Sequence, residues 1–367
     1  MADVLTSSDT TIDSALAFAC DTPASRLLEC IGVRDEAPGV KTFRLRDPHP
    51  DGARRFAPGQ AMLLTLDIDG VRFDRTFSIA STPLEADVLE LTIKAQSGGV
   101  VTRWLHESFA PGMCVYTRYP LGQFTLDASS DAPLALVSAG SGASPLMSML
   151  RTLARRSPHA DIAWLHCARR VEDILFAGEL SALQARMPSL KVHVWLSAPA
   201  PGWFGLRGRM SRGAVWAMAP DFGRRIVYCC GPAGFMQNVR QIHAAEGARR
   251  AAFHIEHFGP VIEPMKSEAA ATGAPSSSDQ RDTLLNATLN GRRFDVRAGE
   301  TLLVAATRQQ VVIPCGCASG LCGTCKVRNV SGQVAMKHAG GLSAAEEAQG
   351  WILACSSRPL TDVEIAF

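Results

Sequence analysis

The chain has 367 residues, 47% of them hydrophobic and 20% charged, a composition of ordinary globular domains that excludes a disordered or collagen-like chain. At roughly 100–200 residues per domain, that length holds two or three separately cored units. Lys and Arg total 37 against 35 Asp and Glu, a net charge of +2, which supplies no broad field for nucleic acid or an anionic membrane surface. No apolar run nears the ~20 residues that span a bilayer, and the first residues carry acids where an export signal carries Lys or Arg. Neither an integral membrane segment nor export is expected. Eleven cysteines, an odd number with five between Cys315 and Cys355, fit a reduced cytoplasmic thiol set better than a secreted disulfide framework.

Residues 24–130 alternate apolar and polar positions in short runs (VKTFRL, AMLLTLDI, VLELTIKA, MCVYTRY) broken by turn residues, the pattern of an antiparallel β-barrel. Within it stands Arg75-Thr76-Phe77-Ser78. An Arg offers fork donors to a pyrophosphate, an aromatic two residues on shares its strand face and can cover a flat ring, and a small hydroxyl beside them can bond a reactive nitrogen. The alternative is an edge strand with a solvated Arg. Further on, SGGVVTRWLHE sets Ser97, Gly98, Gly99 and Val100 at the start of a helix with Thr102 in its first turns, and free helix N–H groups suit phosphate. Lys94 and His106 read as solvated.

Residues 131–262 change texture to continuous apolar runs (LALVSAG, IAWLHCA, KVHVWLS, RIVYCCG, AAFHIEHF) separated by helices at 145–156, 172–186 and 233–246, which predicts an α/β domain with a parallel, doubly wound sheet. The first run leads into Gly140-Ser141-Gly142-Ala143-Ser144-Pro145, a loop able to bring backbone donors to a dinucleotide, although it lacks the third Gly of the usual fingerprint. Cys230-Gly231-Pro232 ends a later strand, and a Cys there is on its own most often a small buried hydrophobe. Cys229 faces the other side of the sheet. Residues 263–283, rich in Ala, Ser and Gly, read as a flexible linker. The last unit, 284–367, opens with a hairpin turning at Asn290-Gly291, followed by a short helix at 302–309.

The segment IPCGCASGLCGTCKV spaces Cys317, Cys322 and Cys325 as C-x4-C-x2-C, with Cys355 following in the strand-like ILACSS. That is the spacing of a plant-type [2Fe–2S] site. Gly316, Gly320 and Gly323 let the loop wrap closely around a cluster. A zinc site is the competing metal reading, but it needs a second knuckle or paired His. Cys315 is an extra thiol and an alternative to Cys317 as first ligand.

On these motifs, residues 284–367 resemble a plant-type ferredoxin domain, a β-grasp fold, and about residues 26–367 resemble the ferredoxin–NADP reductase superfamily. More narrowly, the chain resembles the three-module NAD(P)H oxidoreductases that serve Rieske-type oxygenases such as the glycine betaine and stachydrine demethylases, or hybrid-cluster proteins. The resemblance implies a flavin on Arg75, Thr76, Phe77, Ser78, Gly98, Gly99, Val100 and Thr102, with FAD expected and FMN the alternative. It implies a nicotinamide coenzyme on Gly140, Gly142, Ser144, Pro145, Cys230, Gly231 and Pro232, with NADH expected and NADPH the alternative. Arg169 and Arg170 follow the second parallel strand, where an Arg can meet a 2′-phosphate; plain surface charge is the alternative. Ser78, Cys230 and Glu256 would stand at the reacting rings, and Phe258 would cover the flavin. Cys317, Cys322, Cys325 and Cys355 would hold the cluster. The implied function is electron transfer from NAD(P)H through flavin and cluster to an acceptor protein, a Rieske oxygenase component first. A hybrid-cluster protein or a membrane di-iron desaturase or hydroxylase is the alternative acceptor, and a non-enzymatic redox sensor the alternative class. Such chemistry needs no Ser-His-Asp set, so the histidines read as surface or core residues, and a monomer is expected. Lys326, Arg328 and Lys337 offer positive charge near the cluster.

Overall fold

The computed structural model describes residues 26–48, 55–85, 87–127, 131–245, 251–256, 284–309, 325–338 and 341–367, with single positions at 311, 313, 320 and 323. Six antiparallel strands, β1 (Arg26–Ala37), β2 (Val40–Arg46), β3 (Ala61–Ile68), β4 (Val71–Ser78), β5 (Leu89–Lys94) and β6 (Cys114–Leu121), form one sheet in the order β4-β3-β6-β1-β2-β5. An antiparallel bridge between Ile79 and Leu91 joins the two outer strands and closes the barrel. Phe43, Met62, Leu64 and Leu91 fill its interior, and helix α1 (Val100–Glu107) adds Val101 and Leu105 to the same core.

The second sheet is wholly parallel: β7 (Leu134–Ala139), β8 (Ile162–Ala168), β9 (Leu190–Leu196), β10 (Leu206–Arg207), β11 (Ile226–Cys230) and β12 (Phe253–Glu256), in the order β10-β9-β8-β7-β11-β12. Helices α2 (Ala143–Arg156) and α3 (Ala177–Arg186) contribute to the core that contains Trp164 and Tyr228, while α4 (Arg212–Met218) and α5 (Ala233–Ala244) contribute to the core around Trp195 and Val227. The chain runs outward from β7 to β8 and later returns to β11 on its other side. That reversal puts a topological switch point at the carboxyl ends of β7 and β11, the place where such sheets bind ligands. Two details depart from the sequence reading. The helix expected from residue 172 begins at Ala177, because Leu175 and Phe176 turn inward against the Trp164 core and Phe176 takes φ 57°. Two-residue β10 was not expected; it pairs Leu206 with Trp195.

The last unit packs helix α6 (Leu302–Arg308) on a five-stranded sheet of β13 (Leu285–Leu289), β14 (Arg292–Val296), β15 (Lys326–Ser331), β17 (Trp351–Leu353) and β19 (Val363–Ala366), ordered β14-β13-β19-β15-β17. A small second sheet pairs β16 (Val334–Met336) with β18 (Ser357–Pro359), and helix α7 (Ala344–Ala348) precedes β17. Asn290-Gly291 makes the expected turn, with Leu289 opposite Arg292. Parallel pairing of β13 with β19 at the centre gives the β-grasp arrangement. Among the described residues no helix is long and apolar enough to cross a membrane.

Candidate functional site

Four side chains stand level across the carboxyl ends of the parallel strands. Register pairs His166 with Ser138, Ser138 with Cys230, and Cys230 with Glu256. Paired residues of parallel strands share a sheet face, so these polar groups form one row on the face nearest α2. All four are buried. At one end the row reaches the barrel, where Ser78 Oγ donates to Glu256 Oε2 at 2.9 Å across the seam between the two units. Burial pushes the Glu256 carboxyl up to about 8, against the lowering effect of the Ser78 hydrogen bond. Burial, and then the nearby Glu256 charge, push the Cys230 thiol well above its ordinary range, so it stays a neutral thiol. At the other end His166 Nδ1 lies 2.8 Å from Ser138 Oγ, and burial lowers the imidazole to about 4. His166 is a core residue, as the histidines were expected to be; its pairing with Ser138 was not anticipated. The signal was present as one polar residue at the same level of two otherwise apolar runs, LALVSA and IAWLHCA.

The loop at 140–145, expected to meet the coenzyme, sits directly above this row. Gly140–Gly142 makes a single 3-10 turn leading into α2. A Cβ on Gly142 would lie 2.2 Å from the Cys230 carbonyl oxygen, so only glycine lets the loop rest on the end of β11. Gly231 is similarly crowded by Ala139 and Phe235, and Pro232 is the N-cap of α5. Ser144 and Pro145 are buried, and Ser144 Oγ donates to the Thr92 carbonyl of β5 at 3.1 Å. The Ser144 hydroxyl is thus engaged with the barrel. Arg170 bonds Asp173 and Glu172, while Arg169 is exposed.

On β4 the pleat sets Arg75 and Phe77 on one face and Thr76 and Ser78 on the other. Arg75 is exposed, donating Nη1 to the Asp74 carbonyl with its guanidinium 5.7 Å from the Phe73 ring centre. Phe77 is half-buried. Thr76 Oγ1 is buried without a hydrogen-bond partner among the described residues, an uncommon expense for a hydroxyl. An orphaned hydroxyl two residues from Ser78, on the same strand face, fits a polar ring such as flavin. Gly98 and Gly99 precede α1, no side chain caps its first turn, and Val100 is exposed. Thr102 Oγ1 accepts from the Gln96 amide at 3.0 Å and so shapes the turn. Lys94 is exposed as expected. His106 is not solvated: its Nε2 lies 2.8 Å from the Ile93 carbonyl oxygen and its ring meets Phe43 edge-on.

Two of the four expected cluster ligands are described. Cys325 and Cys355 are buried, the Gly320 amide donates to Cys355 Sγ at 3.1 Å, and the Cys355 amide approaches Cys325 Sγ at 3.5 Å. Gly320 and Gly323 both have φ +72°, and a Cβ at either would strike backbone atoms or His338 within 2.8 to 2.9 Å. Backbone N–H groups aimed at cysteine sulfur stabilise the negative charge of thiolates that would hold an iron–sulfur cluster. Cys355 sits in the turn after β17 rather than on a strand, which frees its amide for that bond. Cys317, Cys322, Cys315 and Phe258 lie outside the described residues. Of the basic residues near the cluster, Lys326 is engaged: Nζ lies 2.8 Å from Glu346 Oε1 and 5.1 Å from the Trp351 ring centre. Arg328 and Lys337 are exposed.

Three sequence families match in the same order as the three units: an oxidoreductase FAD-binding domain over residues 32–126, an oxidoreductase NAD-binding domain over 136–241, and a 2Fe-2S iron–sulfur cluster binding domain over 287–360. The chain is 34% identical over 351 residues to the glycine betaine monooxygenase reductase subunit of Pseudomonas aeruginosa, covering 93% of this chain and 95% of that one. It is 34% identical to the stachydrine N-demethylase reductase subunit of Rhizobium meliloti, with 92% and 95% covered. Phthalate dioxygenase reductase, described as a modular structure for electron transfer from pyridine nucleotides to [2Fe-2S], shares the fold with a TM-score of 0.59, at 23% identity and 93% and 97% coverage. FAD rather than FMN is the flavin these matches support. The chain belongs to the three-module NAD(P)H-dependent flavin and iron–sulfur oxidoreductases of the ferredoxin–NADP reductase superfamily.

Proposed function

We propose that this oxidoreductase is the reductase component of a Rieske-type oxygenase system, taking electrons from NADH and delivering them singly to the oxygenase. The observation that carries this reading is the buried Ser78–Glu256 bond across the seam of the flavin and nicotinamide units, in a chain that matches oxygenase reductase subunits over nearly its whole length. When bound, FAD takes up an electron pair as hydride and the [2Fe–2S] cluster passes electrons one at a time, a conversion neither nicotinamide nor cluster achieves alone. The chain's own residues bind, orient and exclude water. Arg75, Gly98, Gly99, Val100 and Thr102 would hold the flavin phosphates, and Thr76, Phe77 and Ser78 would meet its ring. Gly140, Gly142, Ser144, Pro145, Gly231 and Pro232 shape the loop that would meet the coenzyme, and Phe258, outside the described residues, would cover the flavin. Glu256, neutral at pH 7, accepts at Oε2 from Ser78 Oγ, and the neutral Cys230 thiol would lie against the nicotinamide. Cys317, Cys322, Cys325 and Cys355 hold the cluster.

The units divide at 24–130, 131–262, 263–283 and 284–367, and the chain acts as a monomer in the cytoplasm, a compartment that its odd complement of eleven cysteines supports. A purified glycine betaine oxygenase component supplies the test. With NADH and this chain, its Rieske centre is expected to become reduced; if that centre stays oxidised while the chain still reduces ferricyanide, the proposed partner is wrong.

A further inference from the structure

Helix α2 begins at the coenzyme loop and carries Ser144, Ser148, Arg151 and Thr152 along one face, at spacings of four, seven and eight residues. Every one of them bonds the barrel. Ser144 Oγ donates to the Thr92 carbonyl, Ser148 Oγ to the Ser81 carbonyl at 2.6 Å, and Thr152 Oγ1 pairs with Thr82 Oγ1 at 3.0 Å. Arg151 is the charged member of this stripe. Nη1 reaches the Ala80 carbonyl at 2.9 Å and Glu90 of β5 at 2.8 Å, while Nε and Nη2 hold both oxygens of Glu179 on α3 at 2.7 Å. Its side chain is 14% exposed and its guanidinium lies 5.6 Å from the Phe176 ring centre. One cation therefore joins a carboxylate from each unit and the backbone two residues beyond Ser78.

We propose that Arg151 is a positioning residue for hydride transfer: by tying the end of the flavin strand to the helix that starts at the coenzyme loop, it sets the approach of nicotinamide to flavin. The inference rests on the flavin and nicotinamide reading above. Without the guanidinium, Glu179 would lose this partner and Glu90 would keep only the Arg44 guanidinium at 3.8 Å, on its own unit, so no charge pair would tie the two units at that point. A shift of the order of an ångström in a reacting pair can cost about a hundredfold in rate. The seam is also reachable, because a cavity of about 570 Å³ lined by Arg44, Glu90, Arg151, Ala154, Glu179 and Leu183 opens beside Arg151.

The experiment uses the full-length, flavin-loaded protein with ferricyanide as acceptor. Arg151→Ala is expected to lower kcat for NADH oxidation about tenfold to a hundredfold, with KM for NADH moving less than about threefold. The long-wavelength charge-transfer absorbance on mixing with NADH should weaken in parallel. Added ethylguanidinium, entering through the cavity, should restore rate and absorbance together. Arg151→Lys, which keeps the charge and serves if the alanine variant fails to fold, should fall between the two in kcat. An unchanged kcat in either folded variant overturns the proposal, as does a lowered kcat that neither ethylguanidinium nor lysine recovers. Wild-type protein with no NADH–ferricyanide turnover would instead defeat the functional reading itself, so the two failures are distinguishable.

Discussion

Glu256 and Ser78 stand 178 residues apart in the chain and 2.9 Å apart in space, whereas Cys317, Cys322 and Cys325 fall within nine consecutive residues. The seam where electrons enter is assembled by tertiary packing: a strand end from the barrel, the last strand of the parallel sheet, and a helix bonded to both units. The cluster loop is assembled locally, with Cys355 brought in by one turn. The contrast teaches that the exit of electrons can be removed without disturbing their entry, while the entry site is sensitive to small displacements anywhere along α2 and β11.

The largest effect tests that separation. Cys322→Ser should abolish NADH–cytochrome c reduction, by about a thousandfold or more if all of it passes through the cluster, and leave NADH–ferricyanide turnover near wild type. Parallel loss of both activities would show that the two regions are not independent. Next comes the seam itself: Gly142→Ala forces a Cβ to within 2.2 Å of the Cys230 carbonyl oxygen. The loop must lift, and flavin reduction by NADH should slow about a hundredfold. Stopped-flow absorbance reads this directly, and a near-normal rate would remove the loop from the site.

Glu256 offers a smaller and pH-dependent effect. Its carboxyl is held near 8 by burial, so it is neutral at pH 7 and ionises above that. A second negative charge beside a ring receiving an electron pair is unfavourable, and flavin reduction should fall about tenfold as pH rises through about 8. Glu256→Gln should lose that pH dependence while keeping the Ser78 bond; a variant that retains the same profile would assign it to another group. The smallest effect is on stability. His166 resists protonation until about pH 4 in the folded chain, but takes a proton near 6.5 when unfolded. The unfolded state therefore binds more protons between those values, and stability should fall by about 3 kcal/mol as pH drops from about 6.5 to about 4. Urea unfolding across that range, compared with His166→Gln, reads the contribution, and identical pH slopes would contradict it.

Much of this architecture was legible in the chain. Strand alternation located β2, β3, β5 and β6, continuous apolar runs located the parallel strands other than β10, and cysteine spacing pointed to the 2Fe-2S domain, because each signal is local. The bonds that join units were not legible. Nothing local in the sequence marks Ser148, Arg151 and Thr152, or the barrel contact of Ser144; only the packed barrel shows that this face is covered. The Ser138–His166 pair depends on strand register, which no single run specifies. Likewise Lys326 reads as free surface charge until Glu346 and Trp351 are folded beside it.

The most direct test is an anaerobic titration of the purified chain with NADH, followed by visible absorbance alongside iron and acid-labile sulfide analysis. Iron and sulfide in equal amounts are expected, with flavin and cluster bands both bleaching under NADH. A preparation that binds zinc instead of iron, or whose cluster bands persist after the flavin is reduced, would contradict the path from coenzyme to cluster.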